Sequence, residues 1–222
     1  MTRVAAIVPA HNEADSIAAT VRSLLDQPVI EEVLVVDDGS RDLTAFEARR
    51  AGAQVINLLR NRGKGSALEA GFRATGAEFL LLVDADLGGG AGEVARLLPP
   101  LFRGEADLVI GRMPPMGGGG FGLVRTAARQ GVTRLVGEAP RSVLSGQRAV
   151  SRRAMATLLP LAGGFGAEVG MAIDAVRRGL RVKELPVDIF HRPTLRDPAG
   201  FIHRARQLRD VASAIWARRS SR

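Results

Sequence analysis

Short apolar runs alternate with longer amphipathic stretches through the first half of the chain. Each apolar run has the length of a buried strand, and each following stretch places its apolar residues three or four positions apart, as a helix does. Strict alternation of this kind predicts an α/β fold with a parallel sheet and helices on both faces. The predicted strands are Val4–Val8, Glu32–Val36, Gln54–Leu58 and Glu78–Val83, and the helices between them are Asn12–Leu25, Thr44–Ala51 and Lys64–Ala74.

The pattern is less regular in the second half. Met113–Gly120 contains two prolines and four consecutive glycines, which predicts a mobile loop over a site rather than a packed element. Beyond Pro198, apolar residues at three- and four-residue steps alternate with arginines, and this pattern predicts a basic amphipathic helix. The other predicted elements are helices around Gly92–Leu98, Leu123–Val136 and Gly166–Arg178, and strands Ala106–Ile110 and Arg181–Ile189.

Composition narrows the class of protein. The 222 residues include no cysteine, which excludes disulfides, a thiol nucleophile and a cysteine-based zinc site. The longest apolar runs fall far short of the roughly 20 residues that a spanning helix needs, and the N-terminus is not typical of a secretory signal. We therefore expect a cytoplasmic protein, either dissolved or on the inner face of a membrane.

The charge points to a phosphorylated ligand rather than a nucleic acid. The net charge is +8, but all except two of the 31 basic residues are arginine, a bias typical of genome composition. Aromatic residues make up only 4% and tyrosine is absent, which argues against a base-stacking surface for single strands. We expect no nucleic-acid partner; a phosphorylated substrate or a lipid head group explains the same charge.

Acidic residues follow three of the predicted strands. Asp84-Ala85-Asp86 comes directly after the fourth strand, Asp37-Asp38 follows the second, and Glu13 lies shortly after the first. The carboxyl ends of parallel strands meet at one sheet edge, where ligands bind in such folds. Carboxylates there can hold a hard divalent cation, which would neutralise the charge of a departing diphosphate. The alternative interpretation of Asp84-Ala85-Asp86 is a solvated loop that caps the next helix.

A glycine-flanked lysine adds a candidate anion site. Gly63-Lys64-Gly65-Ser66 opens a predicted helix after a strand, so backbone amides, the helix N-terminus and the ammonium group would favour a phosphate. The alternative is an ordinary turn with a surface lysine. The chain lacks the full motif of a P-loop nucleoside triphosphatase, because Leu58 rather than glycine stands five residues before Gly63.

These motifs together resemble those of the family 2 glycosyltransferases with the GT-A fold, a Rossmann-like single domain with a mostly parallel sheet. The polyprenyl-phosphate mannose and glucose synthases are most similar, and the resemblance covers nearly the whole chain. Its residues are Pro9–Glu13, Val36–Ser40, Gly63–Gly65, Asp84–Asp86, Leu144–Arg148, Gly164–Glu168, Glu184–Val187 and His191-Arg192.

The resemblance implies a role for each matching residue. Asp84 and Asp86 match the motif that holds Mg²⁺ or Mn²⁺ and the diphosphate, and Glu168 matches an acidic position that faces the acceptor. A carboxylate there can act as general base toward a hydroxyl. The implied catalytic residues are Asp86, Glu168 and Lys64; the implied nucleotide-sugar contacts are Pro9, His11, Glu13, Asp37, Asp38, Lys64, Asp84 and Ala85; the implied acceptor-side residues are Gln147, Arg148, Glu168 and Arg192.

The chain departs from the family pattern at three places. His11 stands where tyrosine is common, and Gly88–Gly90 replaces a glutamine that often contacts the metal. We take His191 as the candidate third metal ligand, with a half-buried histidine at a strand end as the open alternative. No segment of these 222 residues resembles the membrane-spanning tail of many polyprenyl-phosphate enzymes. The C-terminal helix either lies in a membrane interface or packs its apolar stripe on its own domain.

The combined prediction is a metal-dependent glycosyltransferase that uses a UDP-sugar in preference to a GDP-sugar. Arginines near the expected acceptor side favour an anionic acceptor, such as a polyprenyl phosphate or a small phosphorylated acid. The single domain 1–222 divides into a nucleotide-sugar half (1–111), an acceptor half (112–198) and the C-terminal helix (199–222). A homodimer and the stereochemical outcome stay open. The alternatives are a non-catalytic membrane or assembly module, and a sugar-phosphate nucleotidyltransferase.

Overall fold

One mixed sheet forms the centre of the molecule. The computed structural model describes residues 3–112, 114, 121–137, 139–164, 166–189 and 198–219, without the side chains of 121–125, 127 and 198–207. The strands in these ranges are β1 (Val4–Ala10), β2 (Glu32–Asp37), β3 (Gln54–Asn57), β4 (Phe79–Leu82), β5 (Leu108–Arg112), β6 (Arg148–Ser151) and β7 (Val182–Pro186). Their order is β3-β2-β1-β4-β6-β5-β7, and neighbouring strands are parallel except that β6 runs antiparallel to β4 and β5.

Helices cover both faces of this sheet. The α-helices are α1 (Ile17–Leu25), α2 (Thr44–Arg50), α3 (Lys64–Ala74), α4 (Pro99–Phe102), α5 (Phe121–Val136), α6 (Arg152–Leu158), α7 (Gly166–Arg177) and α8 (Pro198–Ala217), and a 3₁₀ segment spans Gly88–Leu97. One buried cluster joins α1, the 3₁₀ segment and α4 to the sheet, and another joins α3, α6 and α7 to its other face. A third cluster packs α5, α7 and α8 against each other. Within the described ranges, no helix is both long and apolar enough to cross a membrane.

The order of the strands places a crevice at one edge of the sheet. From β1 the chain moves outward to β2 and β3, and it then returns to β4 on the other side of β1. The connections therefore diverge between β1 and β4, and such a point leaves an open crevice at the carboxyl ends of the strands. Residues that follow β1, β2 and β4 are the ones that this topology brings together.

The predicted alternation in the first half is confirmed, whereas several element boundaries differ. The predicted helix Asn12–Leu25 begins only at Ile17, because Asn12 adopts a positive φ of 57° and the following residues form a turn. The predicted helix around Gly92–Leu98 is the 3₁₀ segment, whose glycine-rich start has low α-helix propensity. Strand β6 and helix α6 were not predicted, since four residues of mixed polarity carry little strand signal.

Candidate functional site

Acidic residues from three parallel strands meet at the predicted edge. Ala10, at the end of β1, pairs with Asp37 at the end of β2, and Asp84 follows β4 by two residues. Glu13 lies close enough to Asp84 and Asp86 for their charges to act on its carboxyl group. The structure therefore brings together the acidic motifs that are separate in the sequence.

The pKa of the Glu13 carboxyl group reflects both burial and negative charge at this edge of the sheet. Burial raises the pKa of its carboxyl above the usual value, and a hydrogen bond from Ser16 partly offsets that effect. The negative charges of Asp86, Asp42 and Asp84 raise this pKa further. When neighbouring carboxylates disfavour each other's ionised form, a cation bound between them stabilises that form. The set of hard oxygen donors suits Mg²⁺ or Mn²⁺ rather than a thiophilic metal.

A cleft of about 610 Å³ opens at the ends of β1, β2 and β3. Its wall depends on Gly39, which has a φ of 72°. A Cβ atom there would lie 2.7–2.9 Å from the backbone of Arg60 and Asn61, so only glycine lets the two loops touch. The residues that line the cleft are His11, Asn12, Asp37, Gly39, Ser40, Arg41, Leu58, Leu59, Arg60 and Asn61.

Two residues expected to contact the nucleotide have different surroundings. His11 is exposed in the cleft, and its Nδ1 donates to the Asp38 carbonyl oxygen at 3.0 Å, which leaves the other ring nitrogen toward Asn12. The Asp38 carboxylate is buried and accepts from the backbone amides of Arg62 at 2.8 Å and Gly63 at 2.7 Å. Asp38 thus holds the loop that leads into α3, while Asp37 and His11 line the cleft.

An ion cluster lies at the start of α3. The Lys64 Nζ is 2.5 Å from Asp84 Oδ1 and 2.5 Å from Glu168 Oε1. Burial opposes the charge on Lys64, but the two carboxylates outweigh it and raise the pKa of its ammonium group above the usual value. The lysine is therefore charged at all physiological pH values. It joins the carboxylate-rich edge of the sheet to α7, the helix expected to face the acceptor.

Thr20, for which no sequence motif predicts a role, fixes the segment that follows Asp84. Its buried hydroxyl donates to the Ala85 carbonyl oxygen at 2.8 Å and accepts from the Gly88 amide at 2.9 Å. One side chain on α1 thus holds the backbone on both sides of Asp86. Ala85 itself is buried, so its side chain packs into the core rather than facing the cleft.

Gln147 and Arg148, which are expected on the acceptor side, both contact other parts of the protein. Their contact with an acceptor stays a prediction. Both side chains are buried, Gln147 against Asp84 and Arg148 against the carbonyl oxygens of Val143 and Ser145. Burial lowers the pKa of the Arg148 guanidinium to about 10, although nearby carboxylates, Glu168 first among them, act in the opposite direction. Arg148 stays charged at neutral pH and supports the segment before β6.

Some predicted residues lie outside the described part of the chain. They are His191, Arg192 and all of Met113–Gly120 except Pro114. Among the described residues, no three His, Asp or Glu side chains form a complete metal-binding group. Asp84 and Asp86 fit as two ligands of a hard cation, and phosphate oxygens or water would supply the other positions. The role of His191 as a further ligand stays a prediction.

Helix α8 packs on its own domain along one face. Val211 and Ala214 are buried against α7, and Arg218 forms an ion pair with Asp174 of α7 at 2.6 Å. Leu208 and Trp216 are 42% and 74% exposed, respectively. The packed arrangement is the second of the two predicted interpretations, and it leaves a separate apolar strip open to solvent.

Comparison with known proteins identifies the family. The family model of glycosyl transferase family 2 matches residues 5–150. Glycosyltransferase AglJ of Haloferax volcanii is 30% identical over 195 residues, covering 86% of this chain and 64% of AglJ. An undecaprenyl-phosphate mannosyltransferase of Micrococcus luteus is 31% identical over 211 residues, covering 86% of this chain and 84% of that protein. The chain spans only about half of some other curated relatives, at 50% of their length.

Solved structures share the whole fold. Glucosyl-3-phosphoglycerate synthase from Mycobacterium tuberculosis, in complex with Mn²⁺ and UDP-glucose, superposes with a TM-score of 0.84 and 28% identity, covering 98% of this chain and 79% of that one. Its complex with Mn²⁺, UDP and phosphoglyceric acid gives a TM-score of 0.84 at 26% identity, with 98% and 78% covered. The predicted GT-A fold is confirmed, and the chain belongs to glycosyl transferase family 2.

Proposed function

We propose that this family 2 glycosyltransferase moves a sugar from a UDP-sugar to a phosphate-bearing acceptor, with Mg²⁺ or Mn²⁺ as cofactor. The observation that supports this proposal most strongly is the position of the Lys64 ammonium group, which lies between Asp84 and Glu168 at the carboxylate-rich edge of the sheet. This arrangement puts a permanent positive charge between the predicted donor and acceptor sides. Such preorganised charge stabilises a leaving group without reorganisation during the reaction.

The donor would bind along the edge of β1 and β2. The cleft offers the Asp37 carboxylate and the His11 ring to a nucleoside, and its volume of about 610 Å³ suits a ligand of that size. UDP is favoured over GDP because the M. tuberculosis synthase, which shares the whole fold, binds UDP-glucose together with Mn²⁺. Asp38 contributes indirectly, through the loop that it holds.

The cation would be held by Asp86 and Asp84. When bound, it neutralises the negative charge that develops on the diphosphate as the sugar leaves. The Lys64 ammonium adds charge beside Asp84, and Glu13 completes the acidic rim of the site. Burial is the largest cause of the raised pKa of Glu13, and a bound cation should cancel the smaller increase that the neighbouring carboxylates add.

The acceptor would approach from the side of α7. Glu168 is 7% exposed and has one oxygen on Lys64, so its position is fixed. It would take the proton of an attacking hydroxyl, whereas an attacking phosphate oxygen needs no base. Two relatives favour phosphate: one is named an undecaprenyl-phosphate mannosyltransferase, and the other is solved with phosphoglyceric acid. Exposed Arg129 and Arg134 on α5 add cationic groups.

A donor screen tests the first half of the proposal. Release of nucleotide diphosphate is measured with UDP-glucose, other UDP-sugars and GDP-mannose, with Mn²⁺, with Mg²⁺ and in excess chelator. We expect activity with a UDP-sugar and a cation only, and its loss in Asp86→Ala. Asp26→Ala is the matched control, because Asp26 is exposed at the far end of α1. Full activity in chelator, or in Asp86→Ala, would contradict the metal assignment.

An acceptor panel tests the second half. A short-chain polyprenyl phosphate, 3-phosphoglycerate and a neutral sugar are compared with the preferred donor. Transfer to either phosphate compound identifies the source of the phosphate, and transfer to the neutral sugar alone would overturn the anionic acceptor. With a hydroxyl acceptor, Glu168→Gln should lower turnover at least ~100-fold, the low end for loss of a general base. With the polyprenyl phosphate, the same substitution should leave turnover within about tenfold, since no proton is removed.

If the lipid is the acceptor, the open strip of α8 is the predicted membrane contact. Leu208 and Trp216 are exposed on this helix, with Arg209 and Arg219 also exposed. An exposed apolar strip with arginines beside it suits the interface of an anionic bilayer. The chain has one tryptophan, so a blue shift of Trp216 fluorescence on vesicles with anionic lipid would report contact. An unchanged spectrum would exclude this helix as the contact.

A further inference from the structure

The side chain of Gln147 is completely buried and makes both of its described hydrogen bonds with one residue. Its Nε2 donates to Asp84 Oδ2 at 2.6 Å, and its Oε1 accepts from the Asp84 backbone amide at 3.1 Å. An amide side chain carries its donor and its acceptor on separate atoms, so it can donate to a carboxylate and accept from a backbone amide at the same time. Gln147 therefore fixes the side chain and the backbone of Asp84 together.

The residue before Gln147 is also fitted to Asp84. A Cβ atom at Gly146 would lie 2.6 Å from Asp84 Oδ1 and 2.7 Å from its Cγ, closer than real Cβ contacts. Any side chain at this position would displace the carboxylate. The backbone amide of Gln147 donates to Ser145 Oγ at 3.3 Å, and this hydrogen bond orients the backbone of the segment. Segment 145–147 is thus shaped around one carboxylate.

Charged side chains from two strands anchor residues 141–145, which lead into this segment. Glu184 of β7 accepts from the backbone amides of Arg141 at 3.0 Å and Ser142 at 2.7 Å. Arg148 of β6 donates to the carbonyl oxygens of Val143 at 2.9 Å and Ser145 at 3.0 Å. Since both anchors bind backbone atoms, the position of Gln147 is set by the sheet and not by a loose loop.

We propose that Gln147 is a positioning residue for the cation site: it holds the Asp84 carboxylate in one rotamer, with one oxygen toward Lys64. The proposal rests on the proposed function, because it takes Asp84 as a ligand of the cation. Without the amide, Asp84 could turn about its side-chain bonds, and the site would lose its preorganised geometry. Residues that orient a metal ligand typically change metal affinity or activity 10–100-fold when they are replaced.

The test measures Mn²⁺ binding to the protein with UDP present, by calorimetry and by the electron paramagnetic resonance of the metal. Gln147→Met keeps the volume of the side chain and removes both hydrogen bonds. We expect its Mn²⁺ affinity to fall about 10–100-fold, with UDP affinity in chelator unchanged. Gln147→Asn keeps the amide but shortens it, and we expect a similar loss. Gln54→Met, on the exposed amino end of β3, is the control and should bind as the wild type does.

Each outcome decides between the two proposals. If the wild type binds Mn²⁺ with UDP and both Gln147 variants bind it equally well, the positioning role is wrong and the proposed function stands. If the wild type itself binds no Mn²⁺ with UDP, the proposed function fails, and the positioning role fails with it. Should Gln147→Met lack cooperative unfolding, Gln147→Asn is combined with Asp84→Asn. The two losses should then be less than additive, and full additivity would overturn the proposal.

Discussion

Replacing Lys64 with methionine removes the charge between two carboxylates and keeps most of the volume. In the wild type, Asp84 and Glu168 each lie 2.5 Å from the ammonium group. At an effective dielectric constant of ~20, each contact is worth about 6–7 kcal/mol of Coulomb energy. Most of this is offset by the cost of taking the charges out of water. The variant would leave two partly buried carboxylates facing an apolar side chain.

The net loss can be estimated from the exposure of the cluster. Removing one partner of a buried ion pair costs about 3–5 kcal/mol. The Lys64 side chain is 22% exposed, so we expect about 2–4 kcal/mol after allowing for solvent around it. For a chain of this length, a loss of ~3 kcal/mol lowers the melting temperature by about 6–12 °C. Activity should fall at least ~100-fold, as expected for a group that stabilises the leaving charge.

The pH dependence gives this prediction its sign. The pKa of Lys64 is raised in the folded state, so its stabilising contribution is complete below the unfolded value of about 10.4 and is lost only as pH rises through the folded one. The wild-type lysine is therefore charged throughout pH 5–8. The contribution of Lys64 to the stability difference between the two proteins should therefore be present at both pH 5 and pH 8.

Urea unfolding of both proteins at pH 5 and pH 8 measures this difference. Lys183→Met is the matched control, because Lys183 pairs with Glu105 at 2.8 Å with both side chains about 40% exposed, at 44% and 39%. Exposed pairs contribute about 0–1 kcal/mol, so the control should change little at either pH. A Lys64→Met protein as stable as the control, or a loss that is absent at either pH value, would refute the argument.

Two further substitutions test features around the site. Asp174→Asn leaves Arg218 without its carboxylate in a pair that is only 14–16% exposed. This substitution should lower the free energy of unfolding by about 3 kcal/mol. A variant as stable in urea as the wild type would contradict the contribution of this pair to the packing of α8 on α7. Gly39→Ala forces a side chain into a left-handed conformation against the Arg60 backbone. It should cost at least about 1–2 kcal/mol and weaken UDP binding by calorimetry, and undiminished UDP affinity would remove the cleft as the nucleotide site.

Local patterns in the sequence were sufficient to predict the first half of the fold. The strands before Asp37 and Asp84 are short, apolar and separated by helices with regular spacing, so both their existence and their common edge could be predicted. The acidic motifs lie directly at these strand ends, and the structure places them together. The assignments of Pro9, Glu13 and the others to nucleotide and acceptor stay predictions, because no ligand contact tests them.

The supporting contacts could not be predicted because they join distant parts of the chain. Gln147 is 63 residues from Asp84, and nothing local distinguishes its amide from one on the surface. The resemblance implies that Asp38 contacts the nucleotide, and no local pattern predicts that its oxygens also accept from the amides of a loop 24 and 25 residues away. In the sequence, Thr20 cannot be distinguished from any other helix residue, because its hydrogen bond is with a segment that follows β4. Such contacts depend on tertiary packing, which periodicity does not encode.

The place of β6 in the sheet has a consequence during synthesis. Strand β6 lies between β4 and β5 although it follows both in the chain. Until residues 148–151 leave the ribosome, β4 is an open edge whose four residues, Phe79–Leu82, are all apolar. Exposed edges of this kind pair readily with other chains. A nascent chain that ends in α5 should therefore aggregate or recruit a chaperone, whereas one extended through α6 should have its edge covered.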